Sequence, residues 1–257
     1  MHNTKRLFDS IGIVYNTESP EACSLAFTLV ETLNLGECLW VSPVHEMEKC
    51  LDEQKQADLV ITVGGDGTIL QAIRLTAYLN VPLLGINMGR LGFMTELKGD
   101  DALEHVWDYL CGKTWIEERA MLQAEICSAS NHRTLPFHAL NDVVVGRGTV
   151  SKLVTVRVSI GSAHLVTYRA DAVMVSTATG STGYNLSVGG PILYPKSREM
   201  VLNSVAPHVG LTSALVIPHA DLIELTMESD QSVLSVDAYM NVPLELGSKV
   251  RVKSSSR

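Results

Sequence analysis

Aromatic residues make up only 5% of the 257-residue chain, and charged residues only 19%. No apolar run reaches the ~18 residues that would cross a bilayer as a helix, so no membrane partner is expected. There is no basic run, and the formal net charge is -8. Such a chain is poorly suited to neutralising a nucleic-acid backbone. The five cysteines (Cys23, Cys38, Cys50, Cys111 and Cys127) are odd in number and widely spaced, with no C-x-x-C. That argues against a disulfide framework or a zinc site. The eight histidines include no H-x-x-x-H pair, so a zinc-protease helix has no support and no protein metal site is expected. The opening MHNTKRLFDSIGIVY is unlike a signal peptide. Asp9 and Ser10 interrupt the apolar run after Lys5 and Arg6, and no small-residue cleavage site follows. A cytoplasmic protein is expected.

What is present is core-forming material, at 46% hydrophobic residues. The first part alternates strand and helix signals. Ser10–Tyr15 reads as a strand, and Ser19-Pro20-Glu21 as a helix start leading into Ala22–Leu33. Leu39–Val41 is a short strand candidate. Asp58–Val63 is a clear strand that runs into Gly64-Gly65-Asp66-Gly67-Thr68 and then a helical stretch, Ile69–Leu79. Val81–Ile86 is another buried-type strand, and Asp101–Leu110 a further helix. Strands alternating with helices imply a parallel sheet. Beyond Gly112 strand-like runs follow in series, from Met121–Cys127 to a last one near Lys249–Lys253, and six of the nine prolines lie here. The expected fold is a Rossmann-like α/β domain over 1–111. A mostly β, sandwich-like domain follows over 112–257.

Four segments carry chemistry. Gly64–Thr68 sits at a strand-to-helix junction, where glycines let backbone amides approach a polyanion and the helix start favours negative charge. Asp66 in such a loop makes sense as the acceptor of a proton from an attacking hydroxyl, or as a metal holder. The alternative is a tight turn with Asp66 as helix N-cap. Gly85–Phe93 follows the next strand with further glycines, and on its own reads as an ordinary loop. Thr177–Gly189 holds five Ser and Thr hydroxyls, suited to a ribose or phosphate-bearing ligand. Asn141-Asp142 precedes a strand and could read hydroxyls or a base edge, or could equally be an Asx turn.

Other matches are weak. Gly112-Lys113-Thr114 ends like a P-loop, but Trp107 stands where the first glycine belongs. Gly146-Arg147-Gly148 begins like a dinucleotide fingerprint, but Ser151 replaces its third glycine. His208 fits packing or capping better than catalysis.

Taken in order, these segments resemble the NAD kinase family from about Ala57 to Val252. Gly64–Thr68 matches its GGDGT motif, and Gly85–Phe93 its G-I-N-x-G-x-L-G-F segment. Asn141-Asp142 matches the Asn-Glu pair, and Ser176–Pro191 the long S-T-x-T-G-S-T-A-Y signature. GGDGT alone is shared with diacylglycerol and sphingosine kinases, but the later segments favour NAD kinase. The resemblance implies transfer of the γ-phosphoryl of ATP, or of a polyphosphate end, to the 2′-hydroxyl of the adenosine ribose of NAD. Asp66 would be the general base, and Gly64, Gly65, Gly67 and Thr68 would cradle phosphates. Asp66 and Gly67 would also meet NAD, with Phe93, Asn141, Asp142, Lys152, Arg169 and Asp171. Thr182, Gly183, Tyr184, Asn185, Leu186 and Ser187 would complete the contacts. Mg²⁺ would arrive with the nucleotide, and a homodimer or homotetramer is implied.

This chain departs from the pattern at several positions. Asp142 replaces glutamate, Gln71 stands where arginine is common, and Gly183 replaces alanine. Ala172 and Ala238 stand where glycine is common. Two alternatives to an active NAD kinase are a lipid or diacylglycerol-type kinase and a non-catalytic dinucleotide-binding protein.

Overall fold

The computed structural model describes residues 6–52, 57–89, 94–128, 134, 136–149 and 152–256. The chain divides into two compact units, Met1–Glu117 and Glu118–Arg257.

The first unit runs β1 (Ile11–Tyr15), α1 (Pro20–Leu33), β2 (Leu39–Pro43), α2 (Met47–Asp52) and β3 (Leu59–Gly64). It continues with α3 (Asp66–Leu79), β4 (Leu83–Asn87), β5 (Leu97–Lys98) and α4 (Gly99–Leu110). Its five strands form a parallel sheet in the order β2-β1-β3-β4-β5. Period-two alternation decides which side chain meets which face. Ile11, Ile13 and Tyr15 join one cluster with Ala22, Ala26 and Leu29 of α1 and Ala102, Val106 and Leu110 of α4. Val14 points the other way, to Met47 of α2 and Ala72 of α3. Helices on both faces explain why β1 and β3 are buried throughout and almost wholly apolar, Thr62 being the exception. Leu29 is fully buried, so Leu29→Ala would cost about 2–5 kcal/mol. Helix α1 starts as its sequence expects: Ser19 caps it by accepting the Ala22 amide at 3.1 Å, and Pro20 occupies the first turn. Asn34 ends it in the left-handed conformation, as Asn80 ends α3.

The second unit begins with β6 (Leu122–Cys127), β7 (Phe137–Ala139), β8 (Asp142–Arg147), β9 (Val154–Ile160), β10 (Ala163–Ala170) and β11 (Ala172–Ser176). After a one-turn helix, α5 (Tyr184–Ser187), come β12 (Met200–Val205), β13 (Leu215–Ile217) and β14 (Ile223–Met227). The unit ends with β15 (Ser232–Val236), β16 (Met240–Leu244) and β17 (Lys249–Ser254). Two six-stranded antiparallel sheets form, ordered β10-β9-β14-β17-β6-β7 and β13-β12-β11-β8-β15-β16. They share one core. Val156, Leu225 and Val250 of the first sheet cluster with Val143, Val175, Leu202 and Leu234 of the second. This is the expected sandwich.

Four strands escape the sequence pattern: β5, β7, β12 and β16. Strand β12 is the most instructive, because it lies inside the second sheet yet carries Asn203 and Ser204. Both are buried with their polar groups paired: Asn203 donates to Asn185 at 3.1 Å and accepts the Ser204 amide at 2.9 Å. Paired polar groups are tolerated in a core where unpaired ones are not, and apolar alternation does not reveal them. Strand β16 contains Pro243, which a sheet edge accommodates.

Candidate active site

In an open α/β sheet, ligands bind beyond the carboxyl ends of the strands, where the strand order reverses. Here the reversal lies between β1 and β3, because β2 adds on one side of β1 and β3 on the other. The residues just past those two ends are Asn16 and Gly64–Gly67. A side chain on Gly64 would overlap the Thr68 hydroxyl and press on Asn16, so glycine is required there for packing. Gly65 and Gly67 instead face open space, which leaves their backbone accessible. Gly65 is the N-cap of the 14-residue α3 and offers no side chain to cap it. Its carbonyl accepts the Thr68 amide at 2.9 Å, and a helix start of this kind favours negative charge. Asp66 is the first helical residue and makes no cap bond, so the N-cap alternative does not describe it. Its Oδ1 is buried without a hydrogen-bond partner among the described residues. A carboxylate oxygen left so is costly unless a ligand or a reaction uses it. Thr68 is buried at the foot of this loop. Phe93 lies outside the described residues.

The second unit gathers another cluster where β8, β11 and β15 run side by side. Asp142 opens β8 and pairs in register with Ser176, the last residue of β11. Asp142 is only 7% exposed. Burial and the nearby Asp237 push its carboxyl up to about 7. Asp237 follows β15 and accepts the backbone amides of Leu140, Asn141 and Asp142 at 2.8, 2.7 and 3.0 Å. Burial raises Asp237 as well, and these three donors oppose the rise without cancelling it. Three amides aimed at one carboxylate favour its anion, so Asp142 is the member of the pair that holds a proton. Asp171 follows β10 and pairs with Arg147 of β8 at 2.9 Å. Tyr184 lies against this group: burial, Asp171 and Asp142 raise its phenol, and Arg147 opposes them.

The hydroxyl-rich segment wraps around the same point. The Thr177 amide donates to the Asn141 carbonyl at 2.9 Å and its hydroxyl to the Leu140 carbonyl. Gly180 packs so tightly on Asn141 that any side chain would strike its carbonyl. Asn185 is fully buried and holds the loop together, donating to the carbonyls of Ser181 and Pro191 at 3.2 and 3.0 Å. The Thr182 hydroxyl donates to the Thr179 carbonyl at 3.0 Å. Gly183, Tyr184, Leu186 and Ser187 are exposed, and with Thr182 they form the outward face of this turn.

The second unit thus assembles Asn141, Asp142, Asp171 and Thr182–Ser187. Lys152 is exposed between β8 and β9, and Arg169 is exposed on β10 two residues before Asp171. Among the described residues, neither side chain hydrogen-bonds or ion-pairs with the cluster. Arg147 and Asp237 are additions that the sequence motifs do not assign to the site, whereas Ser176 and Thr179 lie within the matched signature. The hydroxyls of Ser176 and Thr179 are buried without partners among the described residues. Arg147 stands in Gly146-Arg147-Gly148, whose spacing does not fit a dinucleotide fingerprint.

An anion-receiving glycine loop with a poised carboxylate, and a sandwich cluster of carboxylates, amide and hydroxyls, define a phosphotransferase of the nucleotide-handling class. Comparison with known proteins identifies the family. Residues 40–113 match the ATP-NAD kinase N-terminal domain, and residues 140–257 the ATP-NAD kinase C-terminal domain. The NAD kinase of Dehalococcoides mccartyi is 37% identical over 253 residues, covering 98% of this chain and 89% of that protein. The NAD kinase of Heliobacterium modesticaldum is 35% identical over 257 residues, covering 96% and 90%. Yeast NADH kinase in complex with NADH shares the fold, with a TM-score of 0.85 at 23% identity over 98% of this chain and 81% of the yeast chain. The chain belongs to the NAD kinase family.

Proposed function

We propose that this protein makes NADP by transferring the γ-phosphoryl of ATP to the 2′-hydroxyl of the adenosine ribose of NAD. The observation that carries this reading is the buried, unpartnered Asp66 Oδ1 beside an open glycine loop at a helix start. As the 2′-oxygen bonds to the γ-phosphorus, the bond from that phosphorus to the β–γ bridging oxygen breaks and ADP leaves. The hydroxyl proton passes to the Asp66 carboxylate. Gly64, Gly65, Gly67 and Thr68 cradle phosphate, with the open backbone of Gly65 and Gly67 nearest to it. Such a loop needs no positive side chain and suits a chain of net charge -8. Asn141 and Asp142 accept or donate to sugar hydroxyls and base edges, and Asp171 and Tyr184 flank them. Thr182, Gly183, Asn185, Leu186 and Ser187 shape the turn on which the dinucleotide rests. Lys152, Arg169 and Phe93 complete the contacts.

Among the described residues no group of three or more His, Cys, Asp or Glu could hold a metal. Mg²⁺ that arrives on the nucleotide fits the same reading, with Asp66 as a carboxylate in the phosphate-receiving loop. When bound, that ion would neutralise charge between the phosphates. A polyphosphate end could serve the same loop, since the loop reads phosphate rather than adenine. Five free cysteines fit a reducing cytoplasm. No helix among the described residues is long and apolar enough to cross a membrane. A homodimer or homotetramer is part of the same reading, in keeping with the family resemblance.

The test is NADP formation by the purified protein with Mg-ATP. Polyphosphate is run in parallel as donor, and NADH as acceptor. Absence of product from a folded protein with every donor sinks the reading and leaves a dinucleotide-binding protein. Preferential phosphorylation of diacylglycerol would replace it with the lipid-kinase alternative.

A further inference from the structure

The Asn141–Asp142 pair is gripped by its backbone from both neighbouring strands. On the β11 side Thr177 takes the carbonyls of Leu140 and Asn141. On the β15 side a single carboxylate takes three consecutive amides. Asp237 Oδ2 accepts Leu140, and Oδ1 accepts both Asn141 and Asp142. The Asp237 amide donates in turn to the Asp142 carbonyl at 3.0 Å. With the backbone of 140–142 fully engaged, only the side chains of Asn141 and Asp142 are left to meet a ligand.

The backbone is bent to make this grip. Asp237 and Ala238 have φ of +49° and +54°, and the Tyr239 amide donates to the Val236 carbonyl at 3.0 Å. That is a type I′ turn, which usually carries Asn-Gly or Asp-Gly. Alanine at the second position is an unfavourable occupant, so the turn is held by something other than local preference. The three amides on Asp237 supply that hold.

We propose that Asp237 is a positioning residue that sets the pose of the Asn141 and Asp142 side chains toward the dinucleotide, acting through their backbone amides. This rests on the NAD-kinase reading above. Burial raises the Asp142 carboxyl most, and the neighbouring Asp237 carboxylate adds to that rise, so Asp237 contributes to the pH at which Asp142 ionises. The other groups facing this cluster are Tyr184, Asp171 and Arg147.

The test is a double variant, Asp237→Asn with Ala238→Gly. It installs the Asn-Gly pair that a type I′ turn prefers, so the hairpin is kept while one carboxylate oxygen becomes an amide nitrogen that cannot accept. Ala238→Gly alone is the control. Calorimetry is expected to show NAD affinity falling about tenfold or more, since small misplacements of binding groups are amplified in this way. Affinity for a non-hydrolysable ATP analogue stays within about twofold, and the control binds NAD like the wild type. The pH midpoint of NAD binding moves to lower pH in the double variant, because the neighbouring charge is gone. A purely structural role would lower the melting temperature without moving that midpoint. A folded double variant with wild-type NAD affinity and midpoint overturns the proposal alone. A folded wild type that binds no NAD overturns the functional reading and the proposal together.

Discussion

The Arg147 guanidinium lies 2.9 Å from the Asp171 carboxylate, joining β8 to the residue between β10 and β11. Their side chains are 34% and 30% exposed. A pair so placed contributes only about 1 kcal/mol to stability, because solvent screens it. Its value lies in orientation: it fixes one oxygen of a carboxylate assigned to NAD. Arg147→Met is therefore expected to leave the denaturation midpoint nearly unchanged while raising KM for NAD several-fold. Steady-state kinetics beside urea unfolding separates the two effects. A large stability loss with unchanged KM would show the pair to be scaffolding.

Asp66→Asn tests the proton acceptor. General-base removal costs roughly 10²–10⁴-fold in rate, so kcat should fall by about that much. NAD binding by calorimetry should persist within a few-fold, since the amide keeps the size of the carboxylate. The fold should not suffer either, because the buried Oδ1 has no partner among the described residues to lose. Turnover within tenfold of wild type would remove Asp66 from the reaction.

Legibility followed distance along the chain. The glycine loop announces itself because strand, three glycines, an acid and a helix are contiguous. The hydroxyl-rich segment is equally local. Asp237 could not be read this way, because it grips Asn141 across 96 positions, and nothing near either residue encodes the pairing. Arg147 and Asp171 likewise meet only because β8 and β11 pair. Strand β12 was missed for a different reason: its polar residues are satisfied by Asn185 and by its own backbone, so they enter the core without breaking it. Local chemistry was visible in the sequence, and the shell that orients it was a property of sheet topology.

The hydroxyl-rich turn depends on tight packing that two substitutions can probe. Gly180→Ala would drive a methyl into the Asn141 carbonyl, with backbone on both sides and no flexible group to yield. Overpacking of this kind costs about 1–3 kcal/mol. Asn185→Ala would strand the carbonyls of Ser181 and Pro191 and the Asn203 amide, all paired to its side chain. The bonds to Ser181 and Asn203 are buried, and each buried group stranded costs about 1–3 kcal/mol, so Asn185→Ala should be the more damaging. Thermal unfolding of both variants checks the order. If Asn185→Ala weakens NAD binding at undiminished stability, Asn185 is a ligand contact rather than a brace.

Stability and NAD binding should respond to pH in opposite directions, and Asp142 is the reason. Its carboxyl is raised to about 7 in the folded protein by burial and by Asp237, against about 3.9 in an unfolded chain. Below pH 4 both states hold the proton and the group is neutral to stability change. Between about 4 and 7 the unfolded chain releases the proton while the folded one keeps it, so stability falls as pH rises. The total is on the order of 4 kcal/mol, and it is lost by the time pH passes the folded value. Asp142→Asn should flatten this slope, a difference measurable by urea unfolding at pH 4.5, 6 and 7.5. NAD binding runs the other way, because the ionised carboxylate is the better acceptor for a ribose hydroxyl. Affinity for NAD should therefore rise through pH 7 in the wild type and stay flat in Asp142→Asn. Equal slopes in both proteins would mean that Asp142 keeps an ordinary carboxyl and that the rise belongs to another group.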